Sequence, residues 1–280
     1  DDLSKEKLIS LKKIGINRLS IGVQSFNDQD LKFMNRSHNS EQAINCIHLA
    51  KQVGFENITI DLIYGLSNQS LEDWEKNLDI MFKLEIPHFS AYALTIEPKT
   101  VLSNLVKKKK VNVLPDEKVI EQCNLLQEKA NGNGFVHYEI SNFGKEEFFS
   151  SHNTAYWRNK HYLGIGPSAH SFNGISRSWN VSSNKKYISG LSNNSEYYKT
   201  EILSKKQQYN EYIFTSLRTI WGVDSEIIEK RFGDEFHIHF LKELQKWKGK
   251  EHLLTEDNIF TLTQEGKAFA DAIASDLFII

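Results

Sequence analysis

The sequence predicts an α/β protein, and three observations carry that prediction. Short apolar runs alternate with helical patterns over residues 1–112. An added strand region with two aromatic and glycine-rich motifs follows over 113–200. Helices with a β-hairpin, a small winged-helix-like arrangement, close the chain over 201–280. Strand followed by helix, repeated, implies βα units with right-handed crossovers.

The first three strands read as Asn17–Ser25, Asn57–Tyr64 and His88–Thr95, each short, apolar and preceded by Gly15, Gly54 or Pro87. Helices are expected at Ser40–Val53 and Ser70–Leu84 between them. Alternate strand residues face opposite sides. Leu19, Ile21 and Val23 therefore oppose Ser20, Gly22 and Gln24, and Ile58, Ile60 and Leu62 oppose Thr59, Asp61 and Ile63. The third strand is expected to set Phe89 against Ala91, Ala93 and Thr95. The bulky face packs under helices and the small, polar face leaves room for a ligand. Gln24, Asp61 and Thr95 sit toward the C-terminal strand ends, where α/β barrels keep their sites. A carboxylate inside an apolar strand is costly unless paired, so Asp61 either caps a loop or meets a ligand; its position favours the ligand.

Lys107–Lys110 reads as a solvated loop tip, and Pro115-Asp116-Glu117 starts a helix running to about Ala130. Phe135–Ser141 is a further strand, and 145–185 reads as ordered loops and short strands. Helices are expected at 206–219, 224–231 and 234–247, a strand pair at His252–Leu254 and Ile259–Leu262, and a last helix from Thr263 or Gln264.

Composition excludes several classes. A formal net charge of −2 offers no general field for nucleic acid, and Asp224, Glu226, Glu229, Asp234 and Glu235 crowd the segments that would meet phosphate. No signal peptide or apolar membrane span is present, which points to the cytoplasm. Cys46 and Cys123 form no CxxC and read as reduced thiols, so no metal site is expected in this chain. The chain opens on Asp1-Asp2-Leu3 rather than Met, which suggests a fragment or a processed product.

Two motifs remain. Gly164-Ile165-Gly166-Pro167-Ser168-Ala169 matches GxGxxA formally but lacks the strand–turn–helix context and the acid of a dinucleotide site; its glycines suit tight backbone approaches. His152 in HNTAYW and His170 in PSAHSF lie among aromatics. Local chemistry alone favours packing, although neutral His is also a metal ligand and aromatic neighbours suit a flat apolar cofactor.

NRLSIGVQSFNDQDLKFMNRSH, ITIDLIYGL, SAYALTIEP, HYEISNF, HNTAYW and YLGIGPSAHSF occur in an order that resembles the radical S-adenosylmethionine family. Its members include oxygen-independent coproporphyrinogen III oxidase and the HemW-type haem chaperones; HNTAYW and GIGPSAHS favour the chaperone branch. The likeness runs over about residues 3–180, with a C-terminal region like that family's small domain. It implies the C-terminal half of an incomplete (βα)6 barrel, with S-adenosylmethionine contacted by Gln24, Arg36, Asp61, Ile63 and Thr95. It implies haem contacts at His152 and His170, with Tyr156 and Trp157 as stacking surface, and haem-accepting proteins as partners. The family's CxxxCxxC loop for a [4Fe–4S] cluster is absent, so the cluster belongs to the intact protein only and this chain alone is expected to be inactive. The first strand is expected to present an open edge prone to self-association. Oxidative decarboxylation of coproporphyrinogen III is the alternative function, and a nucleic-acid-binding module the third.

Overall fold

A computed structural model describes residues 3–247 and 249–280; Asp1 and Asp2, with which the sequence opens, lie outside the described residues. Contacts cluster into two units, the first ending at Phe149 and the second running Ser150–Ile280.

The first unit contains α1 (Lys5–Lys13), β1 (Arg18–Gln24), α2 (Asp28–Phe33), α3 (Ser40–Gln52), β2 (Asn57–Tyr64), α4 (Leu71–Lys83), β3 (His88–Ala93), α5 (Val101–Lys107), α6 (Asp116–Gly132), β4 (Val136–Glu139) and β5 (Asn142–Gly144). Asn39 with Gln42 and Ser70 with Asp73 close capping boxes on α3 and α4, each holding backbone donors that the helix cannot satisfy itself. Helix α4 carries Trp74, Leu78 and Met81 on one stripe, all fully buried. They pack with Ile47 and Leu126 against Leu19, Val23, Ile58, Ile60, Leu62 and Phe89 of the strands. The bulky strand face is therefore the helix face, as the alternation predicts.

The sheet runs β1-β2-β3-β5-β4. β1, β2 and β3 are parallel, whereas β5 is antiparallel to both β3 and β4. The expected strand over 135–141 is instead the first arm of a tight hairpin whose second arm inserts beside β3. The expected opposition of Phe89 to Ala91 also fails: residues two apart share a face, and both are buried at 0% and 4% exposure. The small polar face of β3 is carried by Ser90. Among the described strands β1 pairs only with β2 and forms the sheet edge.

The second unit contains α7 (Ser151–Trp157), β6 (His170–Phe172), β7 (Ser176–Asn180), α8 (Asn184–Asn193), β8 (Tyr198–Ile202), α9 (Lys205–Leu217), β9 (Val223–Asp224), α10 (Ser225–Phe232), α11 (Asp234–Leu244), β10 (Leu253–Glu256), β11 (Ile259–Leu262), α12 (Gln264–Lys267) and α13 (Ala270–Leu277). Its antiparallel sheets run β6-β7-β8 and β10-β11-β9. Helices α9 to α11 with the β10–β11 hairpin match the winged-helix-like expectation. The loop reading of 145–185 is corrected: HNTAYW lies on α7, started by the Ser150 side chain accepting from the Asn153 N–H, and Ser183 starts α8 in the same way with Lys186.

Candidate functional site

Register builds the polar face of the first unit. Asp61 lies opposite Ser90, and Ser90 opposite Asn142. The Ser90 hydroxyl donates to Asn142 Oδ1 at 2.7 Å, and Asn142 Nδ2 donates to Glu139 Oε1. Ser90, Asn142 and Glu139 are all buried. Asp61 is half-buried, and burial pushes its carboxyl up, with the nearby Ser90 hydroxyl pulling it partly back. Its role as a loop cap is not what the strand shows: its side chain belongs to the sheet face. Ile63 lies opposite Tyr92 farther along the same face.

On β1, Ser20 and Gly22 are exposed on this face. The register breaks between Ile21 and Gln24, and Gln24 adopts φ 71. A Cβ on Gly22 would stand 2.7 Å from Gln24 Nε2, so the amide lies across the gap that the glycine leaves. Gln24 pairs in register with Leu62 and Asp61 with Ser90, so Gln24, Asp61 and Thr95 do not share one rung. Thr95 lies beyond β3, exposed, with its hydroxyl donating to Ala93 O at 3.5 Å. Arg36 is exposed in the turn after α2, where its backbone N–H donates to Leu31 O.

Sequence reasoning missed two buried polar clusters behind these residues. Asp30, 1% exposed, accepts from Ser25 Oγ at 2.8 Å and Gln69 Nε2 at 2.9 Å. Asn77 Oδ1 accepts from Ser25 Oγ and the Phe26 N–H, and Gln122 links Gln69 O to the Gly65 N–H. These bonds lock the loops leaving β1 and β2 to α4 and α6. His88, 1% exposed, sits between Thr59 Oγ1 at 2.6 Å and Tyr138 OH at 2.8 Å. Burial, helped by the Arg18 guanidinium, pulls its pKa down to about 3, so the ring is neutral. A His in an apolar strand, and single amides, Asn77 and Gln122, among the apolar positions of α4 and α6, were the available signal.

The donor set tests which groups the face suits. A carboxylate, a primary amide laid across Gly22 and an exposed Ser20 suit the hydroxyls and amino groups of a nucleoside. An iron–sulfur cluster is different. Cys46 on α3 and Cys123 on α6 are the two cysteines, both half-buried, and burial pushes the Cys46 thiol up. Among the described residues no three His, Cys, Asp or Glu side chains gather as metal ligands. The residues present do not fit a [4Fe–4S] cluster.

In the second unit, His152 and Tyr156 share one face of α7, edge to face at 4.8 Å, and Tyr156 meets Tyr162 at 4.6 Å. His152 is exposed and its ring nitrogens make no hydrogen bond among the described residues. Tyr156 lines a cavity of about 420 Å³ together with Tyr162, Phe172, Phe214 and the ion-paired Arg177 and Glu211. Trp157 faces a different groove. His170 stacks on Trp179 at 6.3 Å beside a third hollow. The structure thus joins His152 to Tyr156 and separates Trp157 and His170 from them. A Cβ on Gly164 would stand 2.2 Å from His170 O, so the glycine permits the backbone approach that its spacing suggests. The Gly164 and Gly166 N–H groups donate to Ser171 Oγ and Tyr187 OH, leaving neither for a phosphate.

A βα sheet with a polar face, joined to a second unit of helices and a hairpin, is the build of a radical S-adenosylmethionine protein with an appended C-terminal domain. The Radical SAM superfamily model matches residues 1–81 and the HemN C-terminal domain model matches 203–269. The chain is 35% identical over 274 residues to the heme chaperone HemW of Bacillus subtilis, covering 98% of this chain and 72% of that protein. It is 32% identical to the heme chaperone HemW of Lactococcus lactis, covering 95% and 70%. The solved structure of the coproporphyrinogen III oxidase HemN of Escherichia coli, a radical SAM enzyme, overlays with a TM-score of 0.78 at 22% identity, covering 99% of this chain and 67% of that one. At that identity the likeness concerns the fold. The chain belongs to the HemW family of radical S-adenosylmethionine proteins.

Proposed function

We propose that this protein binds haem and hands it to acceptor proteins, with His152 as the haem-contacting residue. The observation that carries the reading is an exposed imidazole, free of hydrogen bonds and seated against Tyr156, in a chain that aligns with heme chaperones over nearly its whole length. A neutral imidazole with a free nitrogen is a ligand for haem iron. His170, Tyr156 and Trp157 are secondary contacts, although they open onto separate hollows.

S-adenosylmethionine would lie on the polar sheet face. Asp61 and Gln24 would hold nucleoside polar groups, Ile63 and Thr95 would border it, and Arg36 would reach its carboxylate by a charge-assisted bond. A [4Fe–4S] cluster would supply an electron where a family member holds one; the residues of this chain would orient the nucleoside, and no radical step is assigned to them. The three-part division at residues 112 and 200 belongs to this reading, as do a cytoplasmic location and association through the β1 edge. No helix among the described residues is long and apolar enough to cross a membrane.

Haem titration followed at the Soret band tests the proposal. Wild type is expected to bind stoichiometrically and His152→Ala to lose or spectrally alter that binding; an unchanged titration would sink the His152 assignment. Decarboxylation of coproporphyrinogen III by the anaerobically reconstituted intact protein would instead favour the oxidase reading.

A further inference from the structure

A groove of about 630 Å³ in the second unit carries chemistry that His152 does not use. Trp157 ends α7 on its wall, with Trp221 and Tyr212 as further aromatic surface and Arg158, Lys160 and Arg231 as cations. The Arg158 guanidinium lies 5.3 Å from the Trp221 ring centroid and that of Arg231 lies 5.9 Å from Tyr212, both within cation–π range. Among the described residues none of these three cations has a carboxylate partner. The neighbouring charges are committed elsewhere. Lys230 pairs with Glu226 at 2.7 Å, and the Asp224 carboxylate accepts from the Glu226 and Ile227 N–H groups as a helix cap. A cluster of unneutralised cations beside aromatic faces, in a chain of net charge −2, asks for an anionic, flat, aromatic occupant.

Helix geometry separates this groove from the His152 face. Residues on a helix advance about 100° each, which puts Trp157 about 140° around α7 from His152. Tyr156 and Trp157 accordingly open onto different hollows. Resting on the proposed haem-handling function, we infer that the groove is a second tetrapyrrole contact, which holds the carboxylate edge of the macrocycle through Lys160, Arg231 and Arg158 while the rings lie on Trp157 and Trp221. A compact polycarboxylate fits better than a nucleic acid. A long polyanion leaving the groove along α10 would pass Glu226 and Glu229, whereas a tetrapyrrole ends its charge within the three cations.

Metal-free porphyrins test this independently of iron ligation. Coproporphyrin III has four carboxylates, protoporphyrin IX two and protoporphyrin dimethyl ester none, and their binding is read by fluorescence at low and high salt. Affinity is expected to rise with carboxylate number and fall with salt. The Lys160→Gln/Arg231→Gln double variant is expected to weaken coproporphyrin binding about tenfold or more, from the loss of two charge-assisted bonds, while the ester is unaffected. Both side chains are exposed and without a carboxylate partner among the described residues, and the ester signal reports that the variant is folded. Lys83→Gln, an exposed lysine at the end of α4, is expected to change nothing. Carboxylate preference that survives the double variant overturns the groove and leaves the haem reading standing. Wild type that fails to bind haem, yet binds porphyrin in a manner that falls with the double variant, overturns the haem reading and keeps the groove. Salt-sensitive binding of a short single-stranded oligonucleotide, with no porphyrin binding, overturns both.

Discussion

On the sheet of the first unit, Asp61, Ser90, Asn142 and Glu139 follow one another across β2, β3, β5 and the end of β4, and the last three are bonded neighbour to neighbour. On α7 and around the groove of the second unit, His152, Lys160 and Arg231 are exposed and, among the described residues, have no hydrogen-bond or carboxylate partner. Apart from Asp61, the first arrangement has already met the desolvation cost of its polar groups through internal bonds, so its frame is held with or without an occupant. The second leaves its groups unsatisfied except by water, so their partners must come from a ligand. Stability experiments should therefore respond in the first unit and ligand experiments in the second.

The largest expected difference lies at His88. Its folded pKa of about 3 stands below the ordinary 6.5, so the neutral ring belongs to the fold and the unfolded chain takes up the proton first. The stability it contributes is fully present above pH 6.5 and is lost as pH falls toward 3, on the order of 4 kcal/mol across that window. Urea unfolding at pH 7, 5 and 4 should show this slope in wild type and a much flatter one in His88→Gln. An equal slope in both proteins would mean that the buried face is not what acid attacks.

Asp30 comes next. Asp30→Ala strands the Gln69 amide in a site 1% exposed and leaves the Ser25 hydroxyl only Asn77 Oδ1 as acceptor, which should cost about 1–3 kcal/mol. A loss in urea midpoint at constant m-value is the measurement; a loss below 0.5 kcal/mol would show that these loops relax and that the first unit is less rigid than its bonds imply.

Asp61 should move the other way and by less. Its folded pKa is raised above 3.8 by burial, so the stability linked to its protonated form is present below pH 3.8 and lost as pH rises through the folded value. Asp61→Asn should therefore gain stability at pH 7, by a fraction of the Asp30 effect, and the gain should vanish at pH 3. The same variant should lose S-adenosylmethionine contact if Asp61 serves the nucleoside. Stability gained at the expense of binding is the mark of a functional carboxylate.

How much of this was legible follows from range. The strand faces were readable because alternation is local, and Asp61 stood out as a carboxylate among Ile60, Leu62 and Ile63. Ser90, Asn142 and Glu139 were not, because their meeting depends on β5, three residues long and inserted antiparallel between β3 and β4. Thr95 was drawn in by extending β3 two residues past its end at Ala93. HNTAYW was legible as a motif but not as a helix, since seven residues started by Ser150 leave too short a period to count. The groove was invisible for a related reason. Trp157, Arg158 and Lys160 are adjacent in sequence, but Tyr212, Trp221 and Arg231 join them only through the fold of the second unit.

The smallest expected effect on stability is also the sharpest test of the comparison. His152 is exposed, hydrogen-bonds to no group among the described residues and meets Tyr156 edge to face. His152→Ala should therefore shift the urea midpoint by no more than about 0.5 kcal/mol, the range of an ordinary surface substitution. Its effect should appear only when haem is added: wild type should gain thermal stability with haem by mass action and the variant should gain less. If His152→Ala instead destabilised the haem-free protein by as much as Asp30→Ala does, the imidazole would be a packing residue. The open region would then be built on the same principle as the sheet face, and the case for a ligand at α7 would rest on the groove alone.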